Sequence, residues 1–141
     1  MKGLFEVVRI DKLSRRTVLV RTKNLVVIQG YQHLARLTAG DSMVSQTVDR
    51  MQLGTGTDAP VATDTVLQSP ITPIKTIGAV TYPTAYSVCF TAYLLAAEGN
   101  GFPISEAGLL AENNDLVARV VFTSQTKTSD YQFTFHWTIQ M

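Results

Sequence analysis

The clearest pattern in the chain lies near its C-terminal end. From Tyr131 to Gln140 the residues alternate, with Tyr131, Phe133, Phe135, Trp137 and Ile139 on one side and Gln132, Thr134, His136, Thr138 and Gln140 on the other. Side chains of a strand point alternately to opposite faces, so this period of two predicts a strand with one buried face. It assigns Phe133, Phe135 and Trp137 to the core. Shorter runs predict further strands at 4–10 and 17–21, joined through the polar Asp11–Arg16 stretch as a hairpin. A short strand is expected at 48–53 and another at 74–82. The apolar run 86–97 alternates most clearly at Val88, Phe90, Ala92 and Leu94. Strands at 104–111 and 116–123 complete the set, joined by the polar turn Glu112-Asn113-Asn114-Asp115.

One segment changes period. Val27, Tyr31, Leu34 and Leu37 fall on one side at helical spacing, which predicts one short helix near residues 27–38 with Gly40 as its stop. Residues 54–73, rich in Thr, Asp and Pro, read as a long ordered loop. Strands in succession, regular turns and no alternation of strand and helix predict a mainly β protein, an antiparallel β-sandwich or jelly-roll-like fold. The 141 residues are read as a single β-rich domain over 1–141. In it the basic hairpin (about 4–21) and the helix serve as an assembly element. A chain of this size buries ~68–70% of its unfolded surface and needs no staple to fold.

Composition narrows the partners. The chain is 45% apolar, which excludes a disordered segment. Its charged share is 16%, against the usual ~25%, as suits a surface that rests on other protein. The single cysteine, Cys89, excludes an internal disulfide and a cysteine-based zinc site. No run approaches the ~18–20 apolar residues of a membrane helix. The N-terminus carries charge too early for a signal peptide, so synthesis in the cytoplasm and no membrane partner are expected. The net charge of +1 hides an asymmetry. Residues 1–36 hold eight basic residues against Glu6 and Asp11, and the remainder holds four against nine acidic ones. Lys12, Arg15, Arg16, Arg21 and Lys23 are therefore the candidate assembly interface, meeting the acidic part of the same or a neighbouring copy. Nucleic acid is not expected as a partner, because no aromatic residue interleaves this stretch to stack on bases.

Candidate chemistry is sparse. His33 has no carboxylate three or four residues away, and His136 stands among Thr and Gln, so neither shows the partner a catalytic histidine needs. Cys89, in the most apolar run with no basic neighbour in sequence, reads as a small core residue. Gly54-Thr55-Gly56 lacks the lysine and helix of a phosphate loop. Asp58 and Asp64 match no calcium-loop spacing, and Glu98 with Glu106 would make a glycosidase pair only if brought ~5–9 Å apart. Tyr82, Tyr86 and Tyr93 would line a sugar groove if exposed, but their apolar surroundings place them in the core. A glycan partner has no other support. The expectation is a non-enzymatic protein with no cofactor and no metal.

The order of motifs carries a resemblance. Leu53-Gly54-Thr55-Gly56-Thr57-Asp58-Ala59-Pro60 is followed by Asp64-Thr65-Val66-Leu67. Then come Ile104-Ser105-Glu106-Ala107-Gly108-Leu109, Leu116-Val117-Ala118-Arg119 and Lys127 ahead of the aromatic strand. From about residue 5 to 140 this resembles small structural proteins of tailed bacteriophages, of the tail-fibre, baseplate or collar type. The chain departs from the pattern at Phe102-Pro103 and lacks a long repetitive shaft, which favours a compact virion component. The resemblance implies localisation in the virion and symmetric assembly with itself and other virion proteins, in the tail, collar or baseplate. A capsid decoration protein and a carbohydrate-binding sandwich are the alternatives. Glu106 and Arg119, on neighbouring predicted strands, are expected to pair across the sheet and fix register.

Overall fold

The computed structural model describes residues 1–40 and 47–141. Ten strands and one helix follow in the order β1 (Lys2–Asp11), β2 (Arg16–Lys23), β3 (Leu25–Val26), α1 (Ile28–Thr38), β4 (Val48–Gly54), β5 (Lys75–Thr76), β6 (Ala79–Thr81), β7 (Ser87–Leu94), β8 (Pro103–Ala111), β9 (Leu116–Thr126) and β10 (Tyr131–Gln140). They form two five-stranded sheets, β2-β1-β10-β7-β6 (sheet A) and β3-β9-β8-β4-β5 (sheet B), paired antiparallel throughout. The mainly β, sandwich-like architecture is the one the alternation predicts.

The aromatic strand takes the centre of sheet A because it is the most apolar one-sided strand available. β10 lies between β1 and β7, with Trp137 opposite Phe5 on one side and Phe90 on the other. Phe5 stacks edge-on to Trp137 at 5.0 Å and reaches across to Phe122 of sheet B at 5.1 Å. Phe133, Phe135 and Trp137 are buried in this core with Met51, Leu53, Leu94 and Leu109.

Two expectations are corrected. The helix forms where predicted, but its buried positions are Gly30 and His33, while Tyr31 and Leu37 of the supposed apolar stripe are exposed. Gly30 decides which face docks. A Cβ there would sit 2.1 Å from the Val117 carbonyl oxygen, so a bare backbone lets the helix lie directly on β9. The strand expected over 74–82 is two short strands instead, β5 in sheet B and β6 in sheet A. The chain changes sheets at Ile77-Gly78, where Gly78 leaves room for the Tyr93 ring.

Sheet B carries a third layer. A second apolar cluster, Val27, Leu67, Leu110 and Leu116, joins β8 and β9 to the 54–70 loop and the start of α1. The loop is tied to the helix by the Ile28 N–H donating to the Ala62 carbonyl at 2.9 Å. The pairing of Asp11 with Tyr131 sets the β1–β2 turn at the end of the sandwich where β9 passes into β10. The β8–β9 turn, Glu112–Asp115, lies at the opposite end of β9, whose eleven residues span roughly 35 Å.

Candidate functional site

The residues that carry the motif pattern converge on a buried ionic brace between sheet B and its loop. β8 and β9 pair with Gly108 opposite Arg119 and Glu106 opposite Val121, which places Glu106 and Arg119 diagonally on one face. A register shift between Ile104 and Glu106 turns the carboxylate to this side while Ile104 stays in the core. Glu106 is wholly buried and Arg119 is 3% exposed. The Arg119 guanidinium donates from Nη2 (2.9 Å) and Nε (3.2 Å) to Glu106, from Nη1 to Asp64 (2.9 Å), and from Nη2 to the Asp58 carbonyl (3.1 Å). Glu106 also accepts the backbone N–H groups of Gly56 (3.1 Å), Gln68 (3.1 Å) and Ser69 (2.7 Å). Burial works against the Arg119 charge, but the Glu106 and Asp64 carboxylates outweigh it and hold its pKa above the ordinary value.

This geometry answers the phosphate-loop question. Of the glycine stretch only the Gly56 N–H faces an anion, the protein's own Glu106, while the Thr55 N–H donates to the Ser69 carbonyl. A Cβ at Gly54 or Gly56 would lie 2.4 or 2.6 Å from a Glu106 oxygen, so glycine here serves close approach of loop to carboxylate. Ser105 adds a 2.7 Å bond to the Gly56 carbonyl. Asp64 is engaged by Arg119 and by the Val61 N–H, and Asp58 by Gln68. Glu98 is held by Lys75 at 2.8 Å and by the Leu95 N–H. The acidic residues considered for calcium and sugar chemistry are thus structural. No group of three His, Cys, Asp or Glu able to hold a metal ion occurs among the described residues.

Lys127 is a second buried cation. Its ammonium donates to the carbonyls of Ala96 (2.9 Å) and Tyr131 (3.2 Å) and to Asn100 Oδ1 (2.5 Å), fastening the 95–101 turn to the start of β10. Desolvation holds its pKa below the ordinary lysine value.

The five candidate interface residues do not form one patch. Lys12, Arg15 and Arg16 gather with Arg9 at the β1–β2 turn, around a depression of ≈ 610 Å³ closed by Asp130 and Tyr131. Arg21 stands on β2 paired with Glu6 at 3.1 Å, and Lys23 lines a separate depression of ≈ 490 Å³ with Lys2 and Asn24. Asp11 shapes the first site. Its carboxylate accepts the Leu13 and Arg15 N–H groups at 2.9 Å and the Arg15 guanidinium at 2.7 Å. The Arg15 backbone bond comes first among the causes that hold the Asp11 pKa below the usual carboxylate value. Lys12 meets Asp130 at 3.1 Å, and Arg9 lies 4.5 Å over the Tyr131 ring. Arg16 has no ion-pair partner among the described residues.

Three readings of single residues change. Cys89 is buried as expected, but on the face of sheet A away from the main core, whose side of β7 is taken by Val88, Phe90, Ala92 and Leu94. It lies diagonal to His136, which pairs opposite Thr91 and bonds its hydroxyl at 3.0 Å. A hydrogen bond with His136 is the chief cause of a thiol pKa below the ordinary value. The histidine is 47 residues away in the chain, so no local signal announces it. His33, whose sequence surroundings read as those of a surface or hydrogen-bonded histidine, is 2% exposed, and neither ring nitrogen has a partner among the described residues. Tyr82 and Tyr86 are 76% and 70% exposed, and Tyr93 is partly so, which removes them from the core.

No helix among the described residues is long and apolar enough to cross a membrane. Compared with protein-family models, with curated proteins and with solved structures, the chain matches none.

Proposed function

We propose that the protein is a non-enzymatic structural component of a tailed-phage virion, assembling symmetrically with copies of itself in the tail, collar or baseplate region. The observation that carries this reading is the use made of the motif residues. Gly54, Gly56, Asp64, Glu106 and Arg119 are spent on one another, pinning a loop to a sheet. A group so enclosed is satisfied and cannot bind or turn over a substrate. Arg9 and Arg16 at one end of the sandwich and Glu112 and Asp115 at the other have no ion pair among the described residues, and exposed charge of this kind serves contacts between proteins. Quantitative mass analysis of purified particles tests the reading. The chain should be present in the small fixed copy number of a symmetric tail part. A copy number matching the head lattice would indicate a decoration protein, and absence from particles would refute a virion role.

The exposure of Tyr82 and Tyr86 favours a second reading, a carbohydrate-binding sandwich. Aromatic faces open to solvent are what sugar stacking requires. Glycan-array binding that is lost in Tyr82→Ala and Tyr86→Ala would establish it, and no binding would dismiss it.

A further inference from the structure

Two turns at opposite ends of the sandwich are unlike in charge, although Lys2 and Lys23 of sheet A stand at the same end as the second. At one end the β1–β2 turn and the β9–β10 connection enclose the ≈ 610 Å³ depression, with Arg9, Lys12, Arg15 and Arg16 set against only Asp11 and Asp130. At the other end, roughly one strand length away, the β8–β9 hairpin projects as an exposed turn. Its carboxylates have no cationic partner among the described residues: Glu112 accepts the Thr47 hydroxyl at 2.9 Å, and Asp115 accepts the Gln29 and Asn113 amides. The turn is also preformed. Arg50, itself paired with Asp49, holds it through the Ala111 carbonyl at 2.6 Å and Asn114 Oδ1 at 2.8 Å, and Asn114 adopts φ 72. A shaped convex acidic turn and a concave basic depression on one chain are complementary surfaces.

We infer that the depression at the β1–β2 turn receives the Glu112–Asp115 turn of a second copy, head to tail. This rests on the assembly reading above and gives it a specific contact. The contact is heterologous, because the two surfaces differ, so repetition generates a ring where the rotation closes and a filament where it does not. Charges at such a rim steer encounter and set register, and salt weakens them. The occupant is this chain itself because Glu112 and Asp115, without a cationic partner among the described residues, match Arg9 and Arg16, which have no ion pair there, beside the solvent-exposed Lys12 and Arg15. Lone edge-to-edge pairing through β2 is opposed by the same residues: in an antiparallel self-pair centred near Leu19-Val20, Arg16 would face Lys23, and like charges directly opposite repel.

Charge-swapped variants test the contact by sedimentation velocity at low salt. One variant carries Lys12→Glu and Arg16→Glu. The other carries Glu112→Lys with Asp115→Asn, which keeps an acceptor toward Gln29. Each alone should self-associate at least about ten-fold more weakly than the parent. Mixed in equal amounts they should associate again as alternating copies, since the acidified depression of one meets the basic turn of the other and the basic depression of the second still meets the acidic turn of the first. All four substitutions in one chain should restore self-association. Unchanged melting curves confirm that each variant folds. Association of the parent with no effect of either swap would overturn this contact and leave assembly standing. A parent that stays monomeric at every concentration would overturn both.

Discussion

The two outer faces of the sandwich begin from the same kind of strand and end in different states. On sheet B a loop and the start of a helix cover the outer face, and the polar groups enclosed there find partners. Glu106 alone accepts three backbone N–H groups and two guanidinium bonds. On sheet A no regular element among the described residues covers the outer face, because the ten strands found there belong to the two sheets and the helix packs on β9. There the Thr134 hydroxyl is buried without a partner among the described residues, while the Arg21–Glu6 pair stays open to solvent on the arginine side. The difference lies in what the strands allow to approach. Gly54, Gly56 and Gly108 strip side chains from the places where the cover comes closest to sheet B. On sheet A the matching rows keep Glu6, Val8, Cys89, Thr91 and His136.

The largest effect should come from breaking an ion pair on each face and comparing the costs. Arg119→Met leaves Glu106 buried and uncompensated, and should cost about 3–5 kcal/mol in urea unfolding. Arg21→Met removes a solvent-exposed pair and should cost about 0–1 kcal/mol. Equal costs would mean that the cover on sheet B does not exclude water. Next in size, Gly56→Ala drives a methyl into Glu106 and Gln68, and should cost about 1–3 kcal/mol. Its signature is faster proteolysis within residues 57–67, with the core strands still protected from hydrogen exchange. On the open face, Thr134→Val removes an unpaired hydroxyl at constant shape and should raise stability by up to about 1 kcal/mol. A loss of stability would reveal a partner for that hydroxyl.

The smallest effect concerns acid. Lys75 and the Leu95 N–H hold the Glu98 carboxyl below the ordinary glutamate value. A carboxyl whose pKa is lowered by folding stabilises the native state above its unfolded pKa. That stabilisation is lost as pH falls through the lower folded value. Stability should therefore decline below about pH 4.5, and Lys75→Met should flatten that decline. An unaltered pH profile in the variant would show that the pair contributes nothing.

What the sequence made legible was whatever rests on period and size. The alternation of Tyr131–Gln140 announces a strand with one buried face, and Phe133, Phe135 and Trp137 are buried because a side chain's face follows from its parity. The paired strands around Glu112–Asp115 were equally plain. The docking face of the helix was not, because the residue that decides it, Gly30, contributes no side chain to a pattern of apolar positions. The split of residues 74–82 between two sheets depends on Gly78 giving way to Tyr93, a contact fifteen residues off in sequence. The outward turn of Cys89 follows from strand parity, yet an apolar run on both sides masks it, and its histidine comes from another strand. Glu106 and Arg119 were recognisable as a cross-strand pair. The three loop N–H groups and Asp64 that complete the brace arrive from a segment with no period at all. Of the basic residues, charge counting named the hairpin but spread it too far, since Arg21 is neutralised by Glu6 while Arg9 joins the depression through Tyr131.

Self-association driven by complementary charge is measured most directly by sedimentation equilibrium across salt concentrations. At low salt the mass should exceed the 15.5 kDa of one chain and rise with protein concentration, then fall toward 15.5 kDa as salt is added. A constant 15.5 kDa at every salt and protein concentration would contradict it.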